Sequence, residues 1–254
     1  MVLDRLSFGI RQTPQTYLVH TQFLRIPLIQ SIVFDLDNTL VDFMAMKHQA
    51  IEAAIDAMLD AGLDLERADI KSRIDAIYKE RGIEYQQVFD DLIFGVFQKI
   101  DHRILAAGVI AYRRAREAAL KPYPHATATL MQLLRRGIKL AVLTDAPSRE
   151  AWLRLCHIGF HHIFNIAVTF DETGERKPSA RPFLTVLDHL QTPASYALMV
   201  GDWAERDIAG AKAVGMQTAF ARYGDVFDTQ NHGADYDLND ISDILEIVDS
   251  QNVS

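Results

Sequence analysis

One cysteine, Cys156, in 254 residues excludes an internal disulfide, a C-x-x-C redox pair and a four-cysteine zinc site. A reducing cytoplasm is the expected setting. No apolar run approaches the roughly eighteen residues that cross a bilayer, and Asp4, Arg5 and Arg11 break the stretch a signal peptide would need. Excess positive charge is missing too: at a net charge of −8 the chain repels a phosphate backbone, so neither nucleic acid nor membrane is an expected partner. No G-x-G-x-x-G follows an apolar strand, and no Walker-type glycine loop or H-E-x-x-H occurs, which leaves nicotinamide, P-loop nucleotide and zincin readings without support. With 49% apolar and 24% charged residues, collagen and low-complexity disorder are excluded as well.

What is present is an alternation of short apolar runs with helical periods. Ile32-Val33-Phe34 ends abruptly in Asp35-Leu36-Asp37-Asn38-Thr39, as a buried parallel strand and its exit loop do. Similar runs recur at 138–143, 166–169, 196–200 and 217–220, and between them lie helical patterns at 126–135, 149–155, 180–190 and 208–214. This predicts an α/β fold, a doubly wound parallel sheet of Rossmann type. Residues 43–120 depart from the alternation. Apolar residues there fall at helical spacing, as in Ile51, Ala54, Ile55, Met58 and Leu59, so an all-helical insertion is expected after the first strand. The stiff Lys121-Pro122-Tyr123-Pro124 marks its exit hinge. The core is therefore expected over 28–42 and 121–249, with 1–27 an extension of no assigned function.

In an open parallel sheet, ligands bind beyond the carboxyl ends of the strands. Three such places stand out: Asp35 to Thr39, then Thr144-Asp145, then Gly201-Asp202 with Asp207 five residues on; Lys177-Pro178 lies before the last. Side chains two apart on an extended segment point the same way, so Asp35 and Asp37 are expected to face one pocket.

The motifs IVFDLDNTLVD, LTD, GERKPSARPF and VGDWAERDIAGAKAVGM, in this order and spacing, resemble the haloacid dehalogenase-like hydrolase superfamily, in its phosphatase branch with a helical cap. The resemblance covers about residues 28–248. It implies a Mg²⁺-dependent phosphatase of a small phosphorylated metabolite, working through an aspartyl-phosphate on Asp35 with Asp37 as general acid and base. Thr144 and Lys177 would bind and neutralise the phosphoryl group, with Asp145 beside them. Asp35, the backbone carbonyl of Asp37, and Asp202 would hold the metal, with Asp207 orienting Lys177 or completing the acidic cluster. Mg²⁺ suits an all-oxygen site whose carboxylates would otherwise repel. An acid at Asp37 argues against dehalogenation, because halide leaves without a proton.

Aspartates after strands also cap helices and shape turns, but the four ordered motifs outweigh that account. His157, His161 and His162 read as surface or structural histidines rather than a metal site. Arg113, Arg114 and Arg116 read as a solvated helix face, and the stripe from Phe89 to Ile100 as helix packing, with a homodimer surface as the other outcome; the expected state is monomer or homodimer. Trp203 either walls the pocket or packs. Asn38 stands where the resembling family more often has glycine, Asp145 where it more often has asparagine, and Ala180 where it often has proline. A phosphomutase on the same core, or an idle binding module, are the alternatives.

Overall fold

The computed structural model describes residues 29–253; the expected extension at 1–27 lies outside the described residues. Six parallel strands form one sheet in the order β3-β2-β1-β4-β5-β6. They are β1 (Ser31–Phe34), β2 (Lys139–Leu143), β3 (Ala167–Val168), β4 (Ala197–Gly201), β5 (Gln217–Ala221) and β6 (Tyr236–Leu238). The first five coincide with the apolar runs, with ends displaced by a residue or two. The sixth, Tyr-Asp-Leu, was not expected, since three residues of mixed polarity carry no strand signal.

β1 sits at the centre and every residue of it is buried. Its alternation serves two layers. Ile32 and Phe34 enter one core with Leu130 and Leu133 of α5 (Ala126–Arg135), Leu155 of α6 (Ser148–His157) and Ile244 of α10 (Asp243–Val253). Val33 enters the other with Phe183, Val186 and Leu190 of α8 (Ala180–Leu190) and Ala211 of α9 (Ala209–Ala213). A residue-by-residue switch of face is the period-2 geometry of a strand. Burying each such Leu, Ile or Phe contributes about 1.5–3 kcal/mol. The short α7 (Phe170–Thr173) follows β3.

Between β1 and β2 the chain forms α1 (Phe43–Asp60), α2 (Arg67–Arg81), α3 (Val88–Phe97) and α4 (His102–Ala119). These helices bury their own cluster, including Ile55, Met58, Ile70, Ile74, Phe89, Leu92 and Ile104; of the stripe from Phe89 to Ile100, Phe89, Leu92 and Ile93 pack inward while Phe94 is exposed. Asp42 caps α1 by accepting from Ala45 N–H, and Asp101 caps α4 by accepting from Arg103 and Ile104 N–H. The chain leaves and re-enters the core side by side: Val41 and Pro122 form an antiparallel bridge, and Tyr123 N–H donates to Leu40 C=O at 3.0 Å. Among the described residues, no helix is long and apolar enough to cross a membrane.

Regular geometry gives way just ahead of the fourth helical period. The helix expected at 208–214 is present as α9; ahead of it, at Ala204–Ile208, the chain makes a π-helical turn. Single π turns recur at functional sites, and this one carries Asp207.

Candidate active site

In this strand order the connections from β1 and β4 leave in opposite directions, which opens a crevice beyond their carboxyl ends. Three loops converge there. Asp35 follows β1, Thr144 follows β2 and Asp202 follows β4, and all three side chains are buried. Lys177 reaches in from the segment before α8. Its ammonium donates to Asp35 Oδ1 at 2.5 Å, Asp207 Oδ1 at 2.5 Å and the Leu143 carbonyl at 3.3 Å. Those are all the donors an ammonium has.

Local chemistry fixes each partner. Asp145 Oδ1 accepts from Lys177 N–H at 2.9 Å and its Oδ2 from Arg206 at 3.2 Å, so this residue of uncertain role ties the third motif to the fourth. Asp207 Oδ2 accepts from Trp203 N–H at 3.0 Å inside the π turn. Asn38 adopts a left-handed φ of 58°, which asparagine tolerates, and accepts from Met44 N–H at the start of the insert. Thr39, which the sequence reading passed over, donates its hydroxyl to Asp202 Oδ1 at 3.0 Å. Thr144 Oγ1 accepts from Ala146 N–H at 3.2 Å, which leaves its own hydroxyl hydrogen for a ligand oxygen.

The electrostatics are unbalanced. Asp35, Asp202 and Asp207 each bring an oxygen within 4.8 Å of the others, around a single ammonium. Burial, then the Asp207 charge, push the Asp35 carboxyl above its usual range against the pull of Lys177. Burial and the Asp35 charge do the same to Asp202. For Lys177, burial opposes the charge, but Asp207 and Asp35 outweigh it and raise its pKa. Three carboxylates and one cation leave an excess of negative charge that a proton or a divalent cation must offset. The donor set fits a hard cation. Asp35 Oδ2 and Asp202 Oδ2 accept no hydrogen bond among the described residues, whereas both oxygens of Asp207 are engaged.

Asp37 departs from the expected arrangement. Its carboxylate is outside the cluster of three, and its Oδ2 accepts from Arg154 of α6 at 3.1 Å. Repulsion between the two aspartates is relieved by giving each its own cation, Lys177 for Asp35 and Arg154 for Asp37. Arg154 also donates to Glu84 at 2.5 Å and lies 4.6 Å over the Phe43 ring, so it joins core and insert. Burial pushes the Asp37 carboxyl up to about 6 against Arg154, and its Oδ1 is buried without a hydrogen-bond partner. Arg154 and Glu84 carried no sequence signal: each is one charged residue in an ordinary polar stretch.

The histidines take no part in the acidic group. His161 and His162 rings stand 3.7 Å apart, and His157 lines a separate cavity with Arg113 and Arg116. Trp203 packs on the Phe227 ring at 4.6 Å under the Arg206 guanidinium.

Gly201 has no room for a side chain against the site. A Cβ there would stand 2.4 Å from the Asp207 carboxylate. Gly201→Ala therefore forces Asp207, and with it Lys177, out of place. The expected cost is about 1–3 kcal/mol of stability and about 100-fold in turnover, read by urea unfolding and by phosphate-release kinetics; wild-type values for both would show that the pocket can relax.

The chain is similar to known proteins over most of its length. The family described as haloacid dehalogenase-like hydrolase matches residues 29–215. A glyceraldehyde 3-phosphate phosphatase of Methanocaldococcus jannaschii is 34% identical over 224 residues, 87% of this chain and 97% of that protein. A glyceraldehyde 3-phosphate phosphatase of Methanopyrus kandleri is 32% identical over 87% of this chain and 97% of its own length. The crystal structure of a HAD phosphatase from Thermococcus onnurineus superposes with a TM-score of 0.66 at 22% identity, covering 88% of this chain and all of that one.

Proposed function

The chain belongs to the haloacid dehalogenase-like hydrolases, and from that premise we propose that it is a Mg²⁺-dependent phosphatase of a small phosphorylated metabolite, with Asp35 the nucleophile. The observation that carries this reading is the pair of aspartates two residues apart with opposite surroundings. Asp35 is held by Lys177 amid other carboxylates, and Asp37 is set apart with one oxygen unpartnered.

Asp35 attacks phosphorus, and the bond from phosphorus to the leaving oxygen breaks. That oxygen takes the proton held on Asp37, whose pKa, raised to about 6, keeps a fraction of it protonated near neutrality. The aspartyl-phosphate is then attacked by a water that gives its proton back to Asp37, which releases phosphate and restores the Asp35 carboxylate. Thr144 donates its hydroxyl to a phosphoryl oxygen, and the Lys177 ammonium, held on Asp35 and Asp207, offsets the charge of the transferring group. A divalent cation held by Asp35, Asp202 and the Asp37 backbone carbonyl would supply electrostatic stabilisation of the transferring group.

The helical insert, residues 43–120, acts as a cap that excludes water and contacts the leaving group. Likeness to glyceraldehyde 3-phosphate phosphatases supports a short aldehyde or sugar phosphate as substrate. A cytoplasmic setting follows from the single cysteine.

The test is release of phosphate from p-nitrophenyl phosphate. Turnover is expected to fall at least about 100-fold with chelator and to return when Mg²⁺ is restored; activity indifferent to chelation would refute the metal-dependent reading.

A further inference from the structure

Beside Asp37, on the insert side, lies a cavity of ≈ 280 Å³ that Asp35, Thr144, Lys177 and Asp202 do not line. Its walls include Lys47 of α1, Tyr78 of α2, Glu84, Tyr112 of α4, and Glu150 and Arg154 of α6. Arg154 is the wall this cavity shares with Asp37, through one guanidinium nitrogen on Asp37 Oδ2 and the other on Glu84. An ester oxygen that takes its proton from Asp37 therefore has this cavity at hand for the carbon chain it carries.

Lys47 is the unusual group within it. Its ammonium is buried, donates to the Ile83 carbonyl at 3.0 Å, and lies 4.4 Å over the Tyr78 ring and 5.4 Å from that of Tyr112. Among the described residues no carboxylate pairs with it. One carbonyl and two ring faces leave further N–H donors unused in a desolvated position, which is unfavourable until an oxygen accepts from them. Desolvation lowers its pKa to about 8, opposed by the Glu84 and Glu150 charges and reinforced by Arg154 and Arg116, which leaves the ammonium the main form at neutral pH.

The surrounding charges say what kind of oxygen that is. The cavity is lined by four basic and four acidic side chains, so it presents no net positive field to draw in an anion. A carboxylate on the leaving group would stand against Glu84 and Glu150, whereas hydroxyls donate to them. The tyrosine rings offer faces for C–H edges.

We propose that this cavity receives the leaving group and that Lys47 selects it, the substrate being a phosphate monoester of a short, uncharged, hydroxyl-bearing carbon chain. A distal oxygen accepts from Lys47 while hydroxyls donate to Glu84 or Glu150. The inference rests on the phosphatase reading and narrows it.

A matched pair with one carbon skeleton tests it: glycerol 3-phosphate and 3-phosphoglycerate, with p-nitrophenyl phosphate as a third ester. The wild type is expected to favour glycerol 3-phosphate about tenfold or more in kcat/KM. Lys47→Gln raises KM for that ester about 10- to 100-fold, the loss of a charged hydrogen bond, with a smaller change in kcat and a smaller loss on the aryl ester. Lys47→Arg, which keeps a cationic donor, recovers part of the loss, so that a folding defect in the Gln variant does not decide the matter. Equal or better turnover of 3-phosphoglycerate, the same factor lost on all three esters, or no recovery with Arg would overturn the proposal. Failure to release phosphate from any of the three would instead remove the phosphatase reading and the inference with it.

Discussion

Asp35→Asn is expected to lower phosphate release by about four orders of magnitude or more, while leaving the protein folded. The amide has nearly the shape of the carboxylate and its oxygen still accepts from Lys177, but it has no negative charge with which to attack phosphorus. Losing a nucleophile removes a step, not a contact, and such losses are among the largest that single substitutions cause. Stability moves the other way. Asp35, its own pKa raised, is crowded by two other carboxylates, so removing its charge relieves repulsion with Asp202 and Asp207. In chelator, the variant should melt at or above the wild-type temperature. Single-turnover phosphate release and thermal melting decide it; more than about 1% residual activity would assign the nucleophile elsewhere.

The second large effect is at Lys177. Lys177→Met fills a similar volume with an apolar chain and leaves Asp35 and Asp207 buried without their shared cation. Breaking a buried ion pair on one side costs about 3–5 kcal/mol, and turnover falls with it because the phosphoryl charge is no longer offset. The effect depends on pH in a definite direction. Folded Asp35 and Asp202 already hold protons more tightly than the unfolded chain does, so in metal-free wild type their contribution is fully present at low pH and is lost as pH rises through their folded pKa values. Without Lys177 those values rise further. The gap in stability between variant and wild type, followed by urea unfolding in chelator, is thus small at pH 5 and large at pH 8. A gap that stays flat or narrows towards pH 8 would mean the carboxylates are not coupled to this amine.

How much of this was legible follows from what each residue answers to. Strands β1, β2, β4 and β5 could be placed because each is a buried apolar run whose composition is dictated by having layers on both faces. β6 escaped because an edge of three residues, only one of them buried, needs no apolar run. Asp35, Lys177, Asp202 and Asp207 lie close together because they sit where strands end, and strand ends can be read. Arg154 and Glu84 could not be found in that way. Their role comes from the docking of the insert on α6, a contact between residues 70 apart that no local pattern encodes. The direction of the Asp37 side chain was missed for the same reason, since alternation gives the face of an extended segment but not the cation waiting on the other side. The π turn at Ala204–Ile208 lies ahead of the helical period at 208–214, in a polar stretch with no apolar spacing to read.

Val41 and Pro122 stand side by side, so the chain enters and leaves the stretch from residue 43 to 120 at one place on the core. The register between β1 and β2 is set by Ser31 to Phe34 against Lys139 to Val142, none of which the inserted helices contribute. Evolution can therefore lengthen, shorten or exchange the excursion while the hydrolytic machinery stays aligned, the same independence that lets a tool change its bit without a new handle.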